Sequence, residues 1–292
     1  MVLMQTEIAP TGSPSRTIRV HTDDGVSLAV IVMGSGPGLL LVHGHGGCKE
    51  DFADHAPKLA EHYTVAMPDL RGHGDSDQPT QRGMYSFDRI KRDLFNVVDA
   101  LGFDTFNVLG HSMGGMVVRG MVLEAPGRID SLILMDTCAG PIDGFDPELM
   151  EMGAKVAFED GKDALKALLD MAAPLDNAAY QRLLAERAGY QEFVDGKWNA
   201  LSEVMWGSLI LAIAHQADDS AAMSAIVAPT LVLVGELDAP FRAAADRMAE
   251  AIQGSELVVI ADAGHSPQFE NPAQWNAAID SFLHGVRRAA NQ

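Results

Sequence analysis

Residues 107–115 read NVLGHSMGG and place Ser112 between two glycines, Gly110 and Gly114. An apolar run precedes the serine and a helical pattern follows it, as expected where a strand turns sharply into a helix. Such a turn strains its corner residue, and glycines two positions before and after let the neighbouring backbones pass. The corner side chain is then exposed at the carboxyl edge of the sheet, so Ser112 is the candidate nucleophile.

The chain on either side of this segment alternates between short apolar runs and amphipathic stretches. The run at 39–42 is continuous and bounded by glycines, which is typical of a strand buried on both faces of a parallel sheet. Apolar side chains recur at helical spacing over 87–101. Further strands are predicted at 17–20, 26–32, 64–67, 106–109, 132–135, 230–234 and 257–260, and further helices at 113–124, 242–252 and 271–286. The alternation predicts an α/β fold with a doubly wound, mostly parallel sheet.

Residues 140–225 break this rhythm, because they contain no convincing strand. Helices are predicted there instead, at 162–171, 177–188 and 198–214, and one more begins at Asp146-Pro147, a cap residue followed by proline. We therefore expect an all-helical insert at 140–225 within a core formed by 17–139 and 226–292. Residues 1–16, rich in proline and glycine, are expected to be a flexible tail.

The charge of the 292 residues excludes several classes of partner. Lys and Arg number 21 against 40 Asp and Glu, which gives a formal net charge of -19. A chain this acidic is repelled by nucleic-acid phosphates and by anionic membrane surfaces. We expect neither as a partner, and a small molecule as the ligand.

Two cysteines, Cys48 and Cys138, stand far apart in the sequence. Two cysteines do not make a disulfide framework in a chain of this length, so we expect free thiols in a reducing compartment. No basic and apolar leader opens the sequence, and no apolar run approaches the roughly 20 residues that span a bilayer. These features favour a cytoplasmic protein.

The glycine-flanked serine in its strand–helix context resembles the nucleophile elbow of the α/β-hydrolase superfamily. Residues 69–76, DLRGHGDS, look like the loop after the fourth strand in that superfamily. The resemblance extends over about residues 18–286 and is to the branch of serine esterases and enol-lactonases with a helical cap. It implies that the helical insert is that cap, and that Asp69 and Arg71 hold the 69–76 loop in place.

A serine hydroxyl needs a general base, and the superfamily order is serine, acid, histidine. His265 follows the predicted strand at 257–260, in a loop from which it can reach Ser112. Asp238 stands just past the strand at 230–234, on the sheet edge where α/β folds build their sites. His265 is therefore expected to take the serine proton, and Asp238 to orient His265 and stabilise the imidazolium.

Other residues remain open as alternatives to this acid and base. Asp136 ends the strand after the elbow helix, where some superfamily members have their acid, and we favour Asp238 over it. Asp262 is closer to His265 in sequence but is expected to serve its own loop. The remaining histidines that were weighed as bases are expected to be packing or surface residues: His111, His215 and His284.

The negative charge that develops on a substrate carbonyl oxygen needs backbone N–H donors, which form an oxyanion hole. One donor is expected to be Met113, the residue after the nucleophile. By resemblance the second comes from HGHGG at 43–47, with His45 as the donor and Gly46 as the fallback. His45 and, on the insert, Trp206 are also expected to contact substrate.

Histidines two apart, as at His43 and His45, can bind a metal. A metal hydrolase would need further ligands nearby, and position 47 is a glycine rather than an aspartate. The glycine clusters also lack the Lys-Ser/Thr of a phosphate loop and the G-x-G-x-x-G of a dinucleotide site. We expect no metal and no cofactor.

These residues together predict a serine hydrolase that cleaves an uncharged, partly apolar carboxylic ester or lactone through an acyl-enzyme. Serine rather than aspartate at position 112 argues against the dehalogenase and epoxide-hydrolase branches of the same fold. Carbon–carbon bond hydrolases and cofactor-free perhydrolases also look like this sequence and stay open as alternatives. A ligand-binding receptor on the same fold is a second alternative, and assembly into a homo-oligomer is left open.

Overall fold

The computed structural model describes residues 15–172 and 175–290. Within these residues one sheet contains eight strands: β1 (Ser15–His21), β2 (Ser27–Gly34), β3 (Gly38–Val42), β4 (Thr64–Pro68), β5 (Phe106–His111), β6 (Ile129–Met135), β7 (Thr230–Gly235) and β8 (Glu256–Ile260). Their order across the sheet is β1-β2-β4-β3-β5-β6-β7-β8. β2 pairs antiparallel with β1 and β4, and the other neighbours are parallel. The predicted mostly parallel sheet is confirmed.

Eleven α-helices are assigned in the same two ranges. They are α1 (Ala56–Leu59), α2 (Phe87–Ala100), α3 (Met113–Glu124), α4 (Pro147–Glu159), α5 (Gly161–Ala172), α6 (Ala178–Glu186), α7 (Tyr190–Asn199), α8 (Glu203–Ala214), α9 (Ala239–Ala251), α10 (Pro267–Glu270) and α11 (Pro272–Ala290). Helices α4 to α8 lie between β6 and β7, where the insert is predicted. None of the helices in the described part of the chain is both long and apolar enough to cross a membrane.

The central strands are buried on both faces, because alternate side chains pack against helices on opposite sides of the sheet. In β3, Leu40 and Val42 belong to a core cluster with α2, α3 and α9. Leu39 and Leu41 belong to a second cluster with α1 and α11. Helices on both faces make the sheet doubly wound, and they explain why this strand reads as one continuous apolar run.

The start of the first strand differs from the prediction. β1 begins at Ser15, so Ser15 and Arg16 pair with β2 rather than belonging to the predicted tail. β1 pairs with β2 without a break from Ser15 to His21, so both residues are part of the sheet. The rest of the predicted tail, residues 1–14, lies outside the described residues.

The single helix predicted at 198–214 is wrong. α7 ends at Asn199 and α8 begins only at Glu203. Ser202 interrupts the pattern, because its backbone is extended and its hydroxyl accepts a 3.3 Å hydrogen bond from the N–H of Met205 as an N-cap. The N–H of Ser202 donates to the carbonyl of Gly72 in the 69–76 loop, which joins the insert to the core at this point.

Two buried ion pairs hold the 69–76 loop. Arg71 is fully buried and donates two hydrogen bonds of 2.6 Å to Asp93 in α2. Asp69 accepts hydrogen bonds from the backbone N–H of Lys49 at 2.7 Å and from its Nζ at 2.9 Å. Both residues therefore anchor the loop, as the sequence predicts.

The two cysteines are free and buried. Sγ of Cys138 lies 3.0 Å from the carbonyl oxygen of Gly140, and burial raises the pKa of this thiol to about 11. Burial also raises the pKa of the Cys48 thiol. Thiols kept protonated in this way are poor nucleophiles, so both cysteines serve packing.

Candidate active site

Ser112 occupies the corner between β5 and α3. Its backbone has φ 54° and ψ -122°, a conformation that residues with side chains rarely adopt. A Cβ added to Gly110 would lie 2.6 Å from the carbonyl oxygen of Gly114, and one added to Gly114 would lie 2.6 Å from that of Val42. Only glycine fits at these two positions, which is the steric requirement predicted for the elbow.

A chain of hydrogen bonds joins the three residues predicted as nucleophile, base and acid. Nε2 of His265 lies 3.0 Å from Oγ of Ser112, and Nδ1 of His265 lies 2.8 Å from Oδ2 of Asp238. A carboxylate only accepts hydrogen bonds, so Nδ1 carries a proton and donates it to Asp238. Nε2 is then free to accept from the serine hydroxyl, as a general base must.

The surroundings of His265 hold the imidazole in this orientation. Asp238 follows β7 and precedes the first residue of α9, and it is 2% exposed. Phe241, one turn into α9, stacks on the imidazole with ring centroids 4.9 Å apart. Asp238 and Phe241 both lie at the start of α9, and together they restrict the rotation of the His265 ring.

Of the two rival acids, neither hydrogen-bonds His265 within the described residues. Asp262 is exposed, has a positive φ of 58° and faces Arg182, with Nη1 of Arg182 and Oδ2 of Asp262 3.6 Å apart. It belongs to its own loop, as expected. Asp136 is buried nearby, and its Oδ1 accepts a 2.8 Å hydrogen bond from the N–H of Gly235.

Glu270 supports the His265 loop, and sequence reasoning missed it. Its Oε2 accepts hydrogen bonds from the N–H groups of Gly264 at 2.7 Å and Ser266 at 3.1 Å, on either side of the histidine. Burial raises the pKa of this carboxyl above its ordinary value. An acid at the end of the short helix α10 is the only sequence signal for it, and that signal is weak because most terminal acids are solvated.

The predicted oxyanion loop, residues 43–47, is pinned to the 69–76 loop by histidine side chains. Nε2 of His43 accepts a 3.1 Å hydrogen bond from the N–H of Leu70. In the opposite direction, the N–H of Gly46 donates a 3.1 Å hydrogen bond to Nε2 of His73. The fallback donor is therefore already engaged.

The two preferred oxyanion donors are unengaged. Neither the backbone N–H of His45 nor that of Met113 donates to an acceptor within residues 15–172 and 175–290. A pair of unpaired N–H groups beside a nucleophile is what an oxyanion hole requires in the absence of substrate. His45 and Met113 remain the predicted pair.

His45 and Trp206, the two residues predicted to contact substrate, contact each other. Nε2 of His45 donates a 3.1 Å hydrogen bond to the carbonyl of Trp206, and their ring centroids are 5.1 Å apart. Burial lowers the pKa of His45 to about 4, so the ring is neutral at physiological pH. The contact brings α8 of the insert against the predicted oxyanion loop.

Ser112 Oγ hydrogen-bonds none of the other three candidate bases within the described residues. Nε2 of His111 donates a 2.7 Å hydrogen bond to the carbonyl of His265, and burial lowers the pKa of His111 to about 3. His215 is exposed and pairs with Glu151 at 3.1 Å, and His284 is exposed on α11. His111 is a packing residue and the other two are surface residues, as expected.

Among the described residues, one group of three side chains brings possible metal-binding atoms together. Donor atoms of Asp136, Asp238 and His265 all lie within 4.8 Å of one another. Two of these residues already share the hydrogen bond that orients the imidazole. His43 does not contribute to such a group, since Nδ1 donates to the Gly44 carbonyl at 2.7 Å and Nε2 accepts from Leu70.

The fold and the elbow agree with a known family. The model of the alpha/beta hydrolase fold family matches residues 37–272 of the chain. The chain belongs to this family. The predicted resemblance and the prediction of an α/β-hydrolase enzyme are thereby confirmed, whereas the bond that this hydrolase cleaves is not settled by the family.

Individual relatives span most of the hydrolase. A 2-hydroxy-6-oxononadienedioate/2-hydroxy-6-oxononatrienedioate hydrolase of Klebsiella pneumoniae is 29% identical over 284 residues, which are 92% of this chain and 92% of that protein. The structure of a hydrolase from Pseudomonas aeruginosa has a TM-score of 0.80 at 26% identity, covering 91% of this chain and 98% of its own. A thermophilic esterase from Thermogutta terrifontis has a TM-score of 0.79 at 26% identity, covering 92% and 98%.

Proposed function

We propose that this hydrolase cleaves a carboxylic ester or lactone through an acyl-enzyme formed on Ser112. The observation that carries the proposal is the hydrogen-bonded chain from Oγ of Ser112 through His265 to Asp238, at 3.0 and 2.8 Å. A serine at an elbow with a tautomerically fixed base is equipped for nucleophilic attack on a carbonyl carbon.

The first half of the reaction forms the acyl-enzyme. Oγ of Ser112 attacks the carbonyl carbon while Nε2 of His265 takes its proton, and Asp238 stabilises the imidazolium. The negative charge of the tetrahedral intermediate is stabilised by the N–H groups of His45 and Met113. The intermediate collapses, the bond to the leaving oxygen breaks, and the imidazolium returns the proton to that oxygen.

The second half repeats these steps with water. His265 removes a proton from water, the resulting oxygen nucleophile attacks the acyl carbon, and Ser112 leaves with a proton from the imidazolium. For a lactone both product ends belong to one molecule, so a hydroxy acid is released. No metal or cofactor takes part in the proposed steps.

The substrate is proposed to be a small, uncharged and partly apolar molecule. His45, neutral because burial lowers its pKa to about 4, and Trp206 offer no charge to pair with an anionic group. The formal net charge of -19 also disfavours anions at long range. We further propose that helices α4 to α8 act as a cap over Ser112, and that neither nucleic acid nor membrane is a partner.

The experiment that tests this function is release of p-nitrophenol from short and medium acyl esters. Wild type is compared with Ser112→Ala, and with Ser281→Ala on the exposed face of α11 as the matched control. We expect Ser112→Ala to lose about a millionfold in turnover, the loss known for a triad serine. Ser281→Ala should match wild type, and the profile over acyl length would size the acyl pocket.

A second candidate is hydrolysis of a carbon–carbon bond on the same residues. It is favoured by the Klebsiella pneumoniae relative, which aligns over 92% of this chain and is named as a dienedioate hydrolase. If wild type is inactive on every ester and lactone offered but cleaves a dienone substrate, and Ser112→Ala does not, this candidate replaces the first. Activity on neither class, with no covalent labelling of Ser112, would contradict both.

A further inference from the structure

Asp136 is a second buried carboxyl group beside the proposed acid, and none of the proposed steps uses it. It follows β6, is 1% exposed and has a positive φ of 46°, a backbone conformation that is held by its surroundings. Its Oδ1 accepts the 2.8 Å hydrogen bond from Gly235. Its Oδ2 is buried and receives no hydrogen bond from any described residue.

The neighbour of Asp136 is Asp238 itself. A carboxylate oxygen of Asp136, a carboxylate oxygen of Asp238 and a ring nitrogen of His265 all lie within 4.8 Å of one another, which places the two carboxyl groups side by side. Two carboxylates this close in a buried site do not both stay charged, and one of them keeps a proton. The His265 N–H stabilises the charge on Asp238, whereas Asp136 has no cationic partner among the described residues.

The electrostatic surroundings agree with this assignment of the proton. Burial, and next the charge of Asp238, raise the pKa of Asp136 well above its ordinary value. The titratable groups that face Asp136 in the described structure are Asp238 before α9, His265 in the loop after β8, and Glu270 in α10. Two of these three are acids, so they disfavour a further negative charge.

We propose that Asp136 is a neutral carboxylic acid that donates Oδ2–H to the Asp238 carboxylate, and that it is a positioning residue for the proposed acid. The proton turns the unpartnered Oδ2 into a donor while Oδ1 still accepts from Gly235. Asp238 then receives hydrogen bonds from His265 and from Asp136, which fix the plane of its carboxylate. The positioning role rests on the proposed function, but the location of the proton does not.

The presence of a proton on Asp136 is tested by how the stability of the protein depends on pH, a measurement that needs no substrate. In the unfolded chain Asp136 ionises above about pH 4, while in the folded protein it stays protonated. A group whose pKa is raised by folding makes its full contribution to stability below its unfolded pKa. That contribution is lost as the pH rises toward the folded pKa. Asp136→Asn is isosteric and cannot ionise, so it removes this dependence while keeping a donor and an acceptor.

We therefore expect the unfolding equilibrium constant of wild type, relative to Asp136→Asn, to rise about tenfold for each pH unit above 4. Urea denaturation between pH 4.5 and about 7 measures it. Asp130→Asn, on β6, the strand just before Asp136, and hydrogen-bonded to Thr105, is the matched control and should not reproduce the slope. If the ratio of the two unfolding constants stays constant or falls as the pH rises, Asp136 is not a neutral acid in the folded protein.

The positioning role is tested by rescue. Asp136→Asn retains a donor toward Asp238 and should react at Ser112 within a few-fold of wild type, whereas Asp136→Val should be slower by about tenfold to a hundredfold, the worth of one hydrogen bond to a charged group. The readouts are ester turnover and the rate of Ser112 labelling by a fluorophosphonate. Equal losses in two folded variants would overturn the role.

These outcomes separate the inference from the proposed function. If wild type Ser112 is neither labelled nor needed for turnover, the proposed function fails, and the pH dependence of stability still reports on the Asp136 proton. If Asp136→Val does not fold, the comparison of Asp136→Asn with wild type decides. A carboxylic-acid C=O infrared band that is present in wild type and absent from Asp136→Asn supports the assignment, and its absence from wild type contradicts it.

Discussion

Nδ1 of His265 lies 2.8 Å from Oδ2 of Asp238, although 27 residues separate them in sequence. Because the carboxylate accepts, this contact sets the tautomer that leaves Nε2 unprotonated toward Ser112. In Asp238→Asn the side-chain amide can donate to Nδ1, which favours the wrong tautomer. We expect kcat to fall by about 10⁴-fold with little change in fold, and steady-state ester hydrolysis with circular dichroism measures both.

Asp262→Asn is the matched control for this variant, because Asp262 is the acid closest to His265 in sequence and faces Arg182 instead. It should keep kcat within a few-fold of wild type. If Asp262→Asn lost as much activity as Asp238→Asn, the acid would be wrongly assigned.

The elbow glycines offer a steric prediction within one helix. A Cβ on Gly114 would lie 2.6 Å from the backbone carbonyl oxygens of Val42 and His43, which cannot move without disturbing β3. A Cβ on Gly120, also in α3, would meet only Cδ of Lys91, at 3.5 Å. We expect Gly114→Ala to destabilise by about 1–3 kcal/mol, as overpacking does, and Gly120→Ala to stabilise by up to about 1 kcal/mol through helix propensity.

Urea denaturation of the two variants measures the difference directly. Two alanine substitutions six residues apart in α3 with effects of opposite sign can only reflect the local packing of the elbow. Equal effects would mean that the strand and helix at the elbow are not as closely packed as described.

The elbow could be predicted because its requirements are local. The steric condition is contained in five residues, a serine with one glycine two positions before it and another two positions after it. An apolar strand precedes these residues and a helix follows them. Asp238 and His265 could be proposed because parallel strands end at one edge of the sheet, which brings distant strand ends together. The contact between Asp238 and His265 could therefore be predicted without knowing how the side chains pack.

Other features depend on contacts that no spacing reveals. The side chain of Glu270, at the end of α10, reaches back to the N–H groups on both sides of His265. Gly46 is unavailable as an oxyanion donor because His73, 27 residues later, accepts its N–H. The apolar pattern continues on both sides of the break between α7 and α8, so the pattern does not reveal the break. The Ser202 cap sets it.

Arg71 carries a stability prediction for the 69–76 loop. It is fully buried and bonded to Asp93, and Asp24 contributes a further pair at 3.1 Å. Arg71→Ala leaves the buried Asp93 without its partner, which costs about 3–5 kcal/mol in the free energy of unfolding. Replacing both members with apolar residues, as in Arg71→Met with Asp93→Leu, should recover a large part of that loss.

The control for Arg71 is Arg247→Ala, whose side chain is 50% exposed and pairs with the exposed Asp143. An exposed pair contributes about 0–1 kcal/mol, so the variant should differ little from wild type in urea denaturation. A loss at Arg71 no larger than at Arg247 would contradict the anchoring role of the buried pair.

Two histidines with lowered pKa values, His45 and His111, should make the protein less stable in mild acid. Burial lowers the pKa of His45 to about 4 and that of His111 to about 3, so both are neutral in the folded state where the unfolded chain becomes protonated. The unfolded state binds more protons, hence stability falls as the pH falls from about 6.5, by up to ~1.4 kcal/mol per pH unit for each histidine. The pH dependence of stability from these histidines is therefore opposite in direction to the one expected from Asp136.

We expect His111→Gln to remove one such contribution from the slope of the unfolding free energy between pH 4.5 and about 6, measured in urea. His284→Gln, on the exposed face of α11, is the control, and a change in slope as large as that of His111→Gln would refute the assignment to buried neutral rings.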